Sequence, residues 1–256
     1  MSEILEKAEL TKQLYKIIKF FGEKDLGELS KISGLKRPNI YYYIGKFKED
    51  EKFKEFILFV GELQEENNLD VKPEENKDVK TTENPYFLIL KGLGIAGEMG
   101  AGIERIKRYA GNYSNYMEVL NRLKKLGLIK DAGSHTKTKK ITEEGEKIYR
   151  KFAYDEHLEK FKELVRSLLN GIESYNYKDE IRRNPYVIGF KFICEYGGIR
   201  SLKRQKELAE KIEKNTSYSY LEMIKTLYIM RLIQMSSLIA TNRGNKLYEK
   251  IKRFLE

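Results

Sequence analysis

The chain has few of the residues from which catalytic and covalent sites are usually built. Its 256 residues include one cysteine, Cys194, and two histidines, His135 and His157. One cysteine cannot form an internal disulfide, and these three side chains lack the spacing of a metal site. A Gly-x-Ser-x-Gly motif and a phosphate-loop lysine motif are also missing. We therefore predict a protein that is not an enzyme and uses no cofactor.

Long apolar runs are missing too, and the amino terminus is not expected to be a leader peptide. No apolar stretch approaches the roughly 18 residues that a membrane helix needs. The amino terminus, MSEILEKAELTKQ, is charged from its third residue, which is not the pattern of a secretory signal peptide. These absences predict a cytoplasmic protein that does not associate with a membrane.

Positive charge is concentrated in two segments. Residues 84–152 and 184–256 each carry 14 basic and 7 acidic side chains, whereas the remainder of the chain sums to −4 within a total of +10. Such concentration is expected where a protein binds a polyanion, because each phosphate contact releases counterions. The alternative is a basic surface that is only solvated.

The same two segments are related by an internal repeat. The tripeptide Asn-Pro-Tyr occurs at 84–86 and again at 184–186. Further along, YMEVLNRLKKLGLI at 116–129 matches YLEMIKTLYIMRLI at 220–233, with apolar residues in register. The segments 141–152 and 240–254 share a T-x-x-G-x-K-[IL]-Y core. Three matched blocks in one order indicate a duplicated structural unit.

A glycine-rich stretch in the first copy has the letters of a dinucleotide-binding motif. Residues 92–97, Gly-Leu-Gly-Ile-Ala-Gly, form a literal G-x-G-x-x-G. The second copy has Phe-Ile-Cys-Glu-Tyr-Gly at 192–197, so the repeated unit folds without these glycines. No alternating series of strands and helices follows Gly97 either. We therefore interpret this stretch as helical, loosened or ended by its glycines.

Periodicity predicts three helices, a β-hairpin and a closing helix in the first copy. The expected order is a helix from about 85 into the 90s, helices over 102–110 and 114–126, strands over 128–131 and 137–141, and a helix over 142–152. Gly127 is expected to end the third helix, and Thr142 to cap the last one.

This layout is that of a winged helix. The string YMEVLNRLKKLGLIKDAGSHTKTKKITEEGEKIYRKF (116–152) resembles the recognition helix, wing and final helix of winged helix-turn-helix DNA-binding domains. Archaeal and bacterial regulators of this kind often have L-x-x-L-G-L-I, a basic hairpin and then I-T-x-x-G. The second copy departs from the pattern, because its wing, IQMSSLIA (233–240), is about five residues shorter and uncharged.

The segment DLGELSKISGLKRPNIYYYIGKF (25–47) resembles a plain helix-turn-helix, with a turn at Gly34-Leu35 and a supporting helix over 10–21. A helix with an apolar face is predicted over 52–66, and this face is a candidate for pairing with another chain. The predicted fold is therefore mainly α with small β-hairpin wings. Its parts are an N-terminal helix-turn-helix domain (1–66), a flexible acidic linker (67–83), a first winged helix (84–152), a helical connector (153–183) and a second winged helix (184–256).

The residues expected to contact DNA lie on the presumed reading helices, in the turns before them and on the first wing, because an α-helix fits the major groove. Asn115, Glu118, Arg122 and Lys125 are predicted to face solvent on the third helix of the first copy. The predicted contact residues are Lys36, Arg37, Asn39, Tyr42, Lys46, Tyr113, Ser114, Asn115, Arg122, Lys125, His135, Lys137, Lys139, Lys140, Thr216, Ser217, Tyr218, Ser219 and Lys225.

Several of these residues also have a structural interpretation. Tyr42, Tyr113 and Tyr218 are the size and type of residue that covers the edge of a core. Glu118 and Glu222 occupy matching places on the presumed reading faces, where a carboxylate can accept from cytosine N4 but repels phosphate. The same two glutamates would also suit a face that binds protein.

The resemblance implies a sequence-specific double-stranded DNA-binding protein, of the transcriptional regulator type, in which the tandem winged helices act as a built-in pseudo-dimer. One alternative is a plasmid or virus replication-initiation or partition protein, which binds repeated DNA sites. Another is a non-catalytic scaffold that binds protein partners through its winged helices. A homodimer and a small-molecule effector are left open.

Overall fold

The structure is a computed structural model that describes residues 2–66, 84–111, 113–132, 135–172, 177–196, 198 and 201–255. These residues are mainly α-helical with one small antiparallel sheet, which confirms the predicted balance of secondary structure. The chain divides into two compact units, residues 1–153 and 154–256. The predicted linker at 67–83 lies outside the described residues.

The first unit begins with helices α1 (Ser2–Phe20), α2 (Leu26–Ser33), α3 (Arg37–Glu49) and α4 (Glu51–Glu66). The Asp25 carboxylate caps α2 by accepting a hydrogen bond from the backbone N–H of Glu28 at 2.8 Å. Gly34 ends α2 in the left-handed region (φ 73°), where a residue with a Cβ is strained. The predicted order of helix, turn and helix is therefore present as α2 and α3.

The remainder of the first unit is helical apart from one hairpin and one short strand. Its elements are α5 (Pro85–Ala96), a 3₁₀ turn (Gly97–Met99), β1 (Ala101–Gly102), α6 (Ile103–Ala110), α7 (Tyr116–Lys125), β2 (Ile129–Ala132), β3 (His135–Ile141) and α8 (Glu143–Ala153). The strands pair antiparallel in the order β1-β3-β2, with Ala101 opposite Lys139 and Ile129 opposite Ile141. The two-residue strand β1 is too short to produce a periodic pattern, and the sequence analysis missed it.

The glycines of the G-x-G-x-x-G stretch belong to the packing of α5. A Cβ on Gly92 would lie 2.8 Å from the Tyr109 ring, and one on Gly94 would lie 2.6 Å from the Tyr149 ring. Gly97 follows α5 with φ 60°. Two glycines therefore let tyrosines pack closely against the helix and the third ends it, which confirms the helical interpretation.

The apolar face of α4 is covered within the first unit. Phe53, Phe56, Ile57 and Val60 are each at most 2% exposed, and α4 packs against α1 and α5. Phe56 stacks on Tyr86 of α5 with ring centroids 5.3 Å apart. A homodimer would therefore have to use a surface other than this face.

The second unit contains α9 (Glu156–Leu169), α10 (Tyr177–Arg183), α11 (Pro185–Tyr196), α12 (Leu202–Thr216), α13 (Tyr220–Ile229) and α14 (Asn242–Leu255). In place of a second hairpin, the described residues form a single antiparallel bridge between Ile233 and Ala240. This segment is too short to extend two strands away from the helices, so the second copy has no projecting wing among its described residues.

The sequence repeat is visible as matched hydrogen bonds. Thr142 Oγ1 donates to Gly127 O at 2.6 Å and accepts from Gly145 N at 3.1 Å. Thr241 Oγ1 donates to Arg231 O at 2.6 Å and accepts from the backbone N–H of Gly244 at 3.1 Å. The same threonine cap therefore connects α8 to the segment after α7 and α14 to the segment after α13.

A second pair of matched contacts extends the repeat towards the amino terminus. The Tyr86 hydroxyl donates to Asp50 at 3.0 Å, and Asp50 caps α4. The Tyr186 hydroxyl donates to Asp155 at 2.7 Å, and Asp155 caps α9. Helix α9, which the sequence analysis assigned to a connector, is therefore the counterpart of α4.

Candidate nucleic-acid interface

One face of α3 carries basic, amide and aromatic side chains towards solvent. Lys36 and Arg37, at the start of the helix, and Asn39 are all exposed. Tyr41 and Tyr42 are 62% and 54% exposed. These five residues are called the α3 surface. Its orientation follows from helical spacing, because Ile40, Ile44 and Phe47 are buried on the other side of the helix.

The electrostatics of the α3 surface favour an anion. Residues 34–48 include four cationic side chains and no acid. Lys36 occupies the N-cap position of α3 without a side-chain cap, and the first turn contains no acidic residue. Cations at the positive end of a helix are unfavourable for the isolated helix, and an anion bound there would compensate for them.

Two of the predicted α3 contacts have acidic neighbours: Arg37 lies near the Asp25 carboxylate, and Lys46 is engaged within its own helix. Its ammonium group pairs with Glu49 at 2.7 Å and lies 5.9 Å from the centroid of the Tyr42 ring. The hydrogen bond to Glu49 raises the pKa of Lys46. Lys46 is therefore cationic, with its charge partly balanced within the helix.

The first turn of α7 contributes a smaller exposed surface. Ser114, Asn115 and Lys125 are exposed as predicted. Tyr113 is half-buried, with the Lys52 ammonium 5.8 Å from its ring centroid, so it covers the edge of the core as the structural interpretation proposed.

Arg122 was predicted to face solvent, and this prediction is wrong. Its side chain is only 13% exposed and lies in a polar cluster with Asp50, Tyr86 and Glu118. One guanidinium nitrogen is 2.5 Å from Asp50 Oδ2 and 2.8 Å from the Tyr86 hydroxyl, and the other is 2.5 Å from Glu118 Oε1. We call these four residues the Arg122 cluster.

The charges of the Arg122 cluster stabilise each other. Burial alone would lower the pKa of Arg122, but Tyr86 and Glu118 outweigh it and raise this pKa. Burial, followed by the Asp50 carboxylate, raises the pKa of Tyr86. The arginine therefore holds α7 against the start of α4 and is not available for a phosphate or a base.

The first wing is less basic at its surface than its sequence indicates. Lys137 is exposed and Lys140 is half-buried, but Lys139 is buried and pairs with Asp131. Lys124 also binds Asp131, at 2.5 Å, and the hydrogen bonds from Lys124 and Lys139 lower the pKa of Asp131. The side chain of His135 lies outside the described residues.

The second unit offers less surface for DNA than predicted. Thr216 is only 4% exposed and donates to Ile212 O at 2.7 Å, so the prediction that it contacts DNA is wrong. Tyr218 is half-buried with its ring 5.0 Å from that of Tyr186, and burial followed by Asp155 raises its pKa. Ser217 and Ser219 are exposed, and Lys225 is half-buried. Beyond its first turn, α13 is otherwise buried.

Three exposed apolar or aromatic side chains on α3, α7 and α13 were not predicted from the sequence. Tyr41 lies beside Tyr42 on α3, and the run of three tyrosines at 41–43 was a signal that not all of them could be buried. Met117 and Leu221 are 53% and 59% exposed at equivalent positions of α7 and α13. Alignment of the two copies would have identified this matched pair.

The comparisons with known proteins identify no family for this chain. No family model, curated protein or solved structure matches this chain. Among the described residues, no group of three or more His, Cys, Asp or Glu side chains could hold a metal ion. Within that same part of the chain, no helix combines the length and apolar character needed to cross a membrane.

Proposed function

We propose that the protein is a sequence-specific double-stranded DNA-binding protein of the transcriptional regulator type, with α3 as its principal reading helix. The observation that carries this proposal is the α3 surface, where Lys36, Arg37, Asn39 and Tyr42 are exposed together with no acid between residues 34 and 48. The residues early in a reading helix are those that meet base edges in the major groove.

The chemistry of the α3 surface suits such a role. Arginine pairs with guanine and asparagine with adenine through two hydrogen bonds each, so Arg37 and Asn39 would contribute sequence preference. Lys36 and the Tyr42 hydroxyl would contact phosphates, which position the protein on the duplex without reading its sequence.

The topology of residues 84–152 supports the same proposal. The order α5-β1-α6-α7-β2-β3-α8, with the sheet order β1-β3-β2, resembles a winged helix. We propose that residues 84–152 and 184–256 are winged-helix domains, the second without a projecting wing. In the first, Ser114, Asn115, Lys125, Lys137 and Lys140 would contact the DNA backbone beside the site read by α3.

The proposal predicts a separation of charge effects from sequence effects on α3. Lys36→Gln should weaken binding to all duplexes and lower the salt slope by about one phosphate contact. Asn39→Ala should weaken binding to a selected site by about 5- to 150-fold and leave a random duplex nearly unaffected, because it removes a base contact worth about 1–3 kcal/mol. Fluorescence anisotropy with the full chain, over about 50 to 200 mM salt, measures both.

Lys48→Gln is the matched control, since Lys48 is in the last turn of α3 with its ammonium 5.8 Å from the Phe21 ring centroid. It removes the same charge as Lys36→Gln and should leave affinity almost unchanged. Equal losses from both lysine variants would show that only overall charge matters. No duplex binding by the wild-type chain at low salt would overturn the proposal.

A protein-binding scaffold is the second candidate function. Met117 and Leu221 are exposed at equivalent positions, each next to a glutamate, Glu118 or Glu222. Exposed apolar residues beside acids suit a protein partner better than a phosphate backbone. If a Met117→Gln, Leu221→Gln double variant binds DNA with wild-type affinity, these two positions are available for a protein partner. A loss of DNA affinity would place them in the DNA interface.

A further inference from the structure

Two arginines of the second unit occupy places where the first copy has a glycine and a glutamate. Arg231 follows α13 where Gly127 follows α7, and Arg243 is in the first turn of α14 where Glu144 is in that of α8. Because the two copies share their caps and their helix order, the fold does not require these arginines. The first copy therefore serves as an internal reference for them.

The backbone contacts place the two arginines beside each other. Arg231 O accepts the hydrogen bond of Thr241, which is also the cap of α14. The neighbouring carbonyl of Leu232 lies against Gly244, where a Cβ would be only 2.1 Å from the oxygen. Residue 231 is thus held next to the turn that carries Arg243.

Arg231 is also held in an unfavourable backbone conformation. Its φ is 62°, and Gly127 at the equivalent place has a φ of 73°. This left-handed region is open to glycine and costs conformational energy for a residue with a Cβ. Strain of this kind concentrates at functional sites, which makes this turn a candidate for one.

The first turns of α8 and α14 differ in charge. The first turn of α8 contains Glu143, Glu144 and Glu146, which suit the positive end of a helix. The first turn of α14 contains no acidic residue and contains Arg243 instead. The second unit thus combines a cation with the positive end of a helix, an arrangement that an anion would stabilise.

The guanidinium of Arg243 carries an unused donor. Its Nε is buried and has no hydrogen-bond partner within the part of the chain that the structure describes. Burial, followed by the charge of Arg231, lowers the pKa of Arg243. A buried donor without an acceptor is costly, and a phosphate oxygen is an acceptor of matching charge.

We propose that Arg231, Arg243 and the first turn of α14 form a binding site for a phosphate group. Two guanidinium groups and a helix start can surround a tetrahedral anion with charge-assisted hydrogen bonds. The phosphate can belong to a nucleic-acid backbone, in which case the site rests on the proposed DNA-binding function, or to a free phosphorylated ligand. The second unit, which lacks a basic wing, would then bind phosphate through this pair.

The test uses the full chain, with inorganic phosphate in one arm and a random-sequence duplex in the other. Calorimetric titration with phosphate is run against chloride at equal ionic strength, and duplex affinity is measured by anisotropy. The variants are Arg231→Gly, which installs the residue of the first copy, and Arg243→Gln. Lys246→Gln is the control, because it removes one exposed positive charge from the same helix.

Each arginine variant should weaken binding at least tenfold in one arm or both, and Lys246→Gln should change it less than twofold. Arg231→Gly should also unfold at the wild-type temperature or above it, because glycine relieves the strain, so a loss of binding would not reflect misfolding. A loss in the phosphate arm identifies a free ligand, and a loss in the duplex arm alone identifies the DNA backbone.

The proposal is overturned if the arginine variants bind both probes as the wild type does, if the wild type binds neither probe, or if Lys246→Gln weakens binding equally. The α3 variants test the DNA-binding proposal separately. The phosphate arm does not involve α3, so either proposal can fail while the other holds.

Discussion

Gly145→Ala is expected to destabilise the first unit by about 3 kcal/mol, the upper part of the range for overpacking. A Cβ on Gly145 would lie 2.2 Å from Leu128 O and 2.9 Å from Ile141 Cγ1. The first of these atoms belongs to the backbone that leads into β2, so no side-chain rotation can relieve the contact. The whole start of α8 would have to move away from the hairpin.

Gly244 tests the same reasoning in the second unit. A Cβ at this position would be 2.1 Å from Leu232 O, so Gly244→Ala should destabilise the second unit to a similar extent. Denaturant unfolding of the full chain, combined with hydrogen exchange to locate the affected unit, measures both variants.

Gly45→Ala is the control for these glycine variants. Gly45 is within α3, and a Cβ there would meet no atom within 4 Å. This substitution should stabilise the protein by about 0.5–1 kcal/mol, because alanine loses less conformational freedom in a helix than glycine does. An unchanged unfolding midpoint for Gly145→Ala would show that the contact between α8 and the hairpin can relax.

The second large effect is expected from Arg122→Ala, which should destabilise the first unit by about 2–3 kcal/mol. Removing one partner of a fully buried ion pair costs about 3–5 kcal/mol, and the value is reduced here because Asp50 remains partly exposed. The side chains of Arg122 and Asp50 are 13% and 29% exposed. The substitution also removes the packing of the guanidinium on Phe53, since Arg122 Cζ lies 4.6 Å from the centroid of the Phe53 ring.

A double-mutant cycle separates the ion pair from this packing. Arg122→Ala and Asp50→Ala together should cost less than the sum of the two single losses, because each removes the same interaction. Lys125→Ala, on the exposed side of α7, should leave stability almost unchanged. Additive losses at 50 and 122 would mean that the arginine contributes through packing alone.

The Arg122 cluster also links helices that come before residues 67–83 in the sequence to helices that come after them. Asp50 ends α3 and begins α4, and its carboxylate binds Tyr86 of α5 and Arg122 of α7. The second unit keeps the Asp155–Tyr186 contact, but buried Thr226 occupies the place of Arg122 and Tyr218 packs on Tyr186. Arg122 therefore holds α7 in place against the start of α4, and the second unit has no arginine at the equivalent position.

Local pattern was enough to predict most of the secondary structure. The helix stops at Gly34 and Gly127, the cap at Thr142 and the apolar stripe of α7 all depend on residues within a few positions of each other. The internal repeat was equally accessible, because it needs only the comparison of two segments. The helical nature of the G-x-G-x-x-G stretch followed from that comparison.

The candidate site was predicted less completely, because exposure of a polar side chain depends on distant partners. Arg122 meets Asp50 from a position 72 residues further along the chain. Lys139 lies two residues after the exposed Lys137 on the wing, yet it pairs with Asp131 across the hairpin. Helical spacing assigned Arg122 to a solvent-facing side, and a basic hairpin pattern did the same for Lys139. Only the fold revealed their carboxylate partners.

The sequence by itself determined the order of helices, the duplication and the exposed basic and aromatic face of α3, since these follow from spacing along one segment. The tertiary structure alone decided that Arg122, Lys139 and Thr216 are buried and that α9 is the counterpart of α4. It also decided that Arg231 lies beside Arg243. The physical reason is that burial and charge pairing are set by groups far apart in the chain, which come together only when it folds.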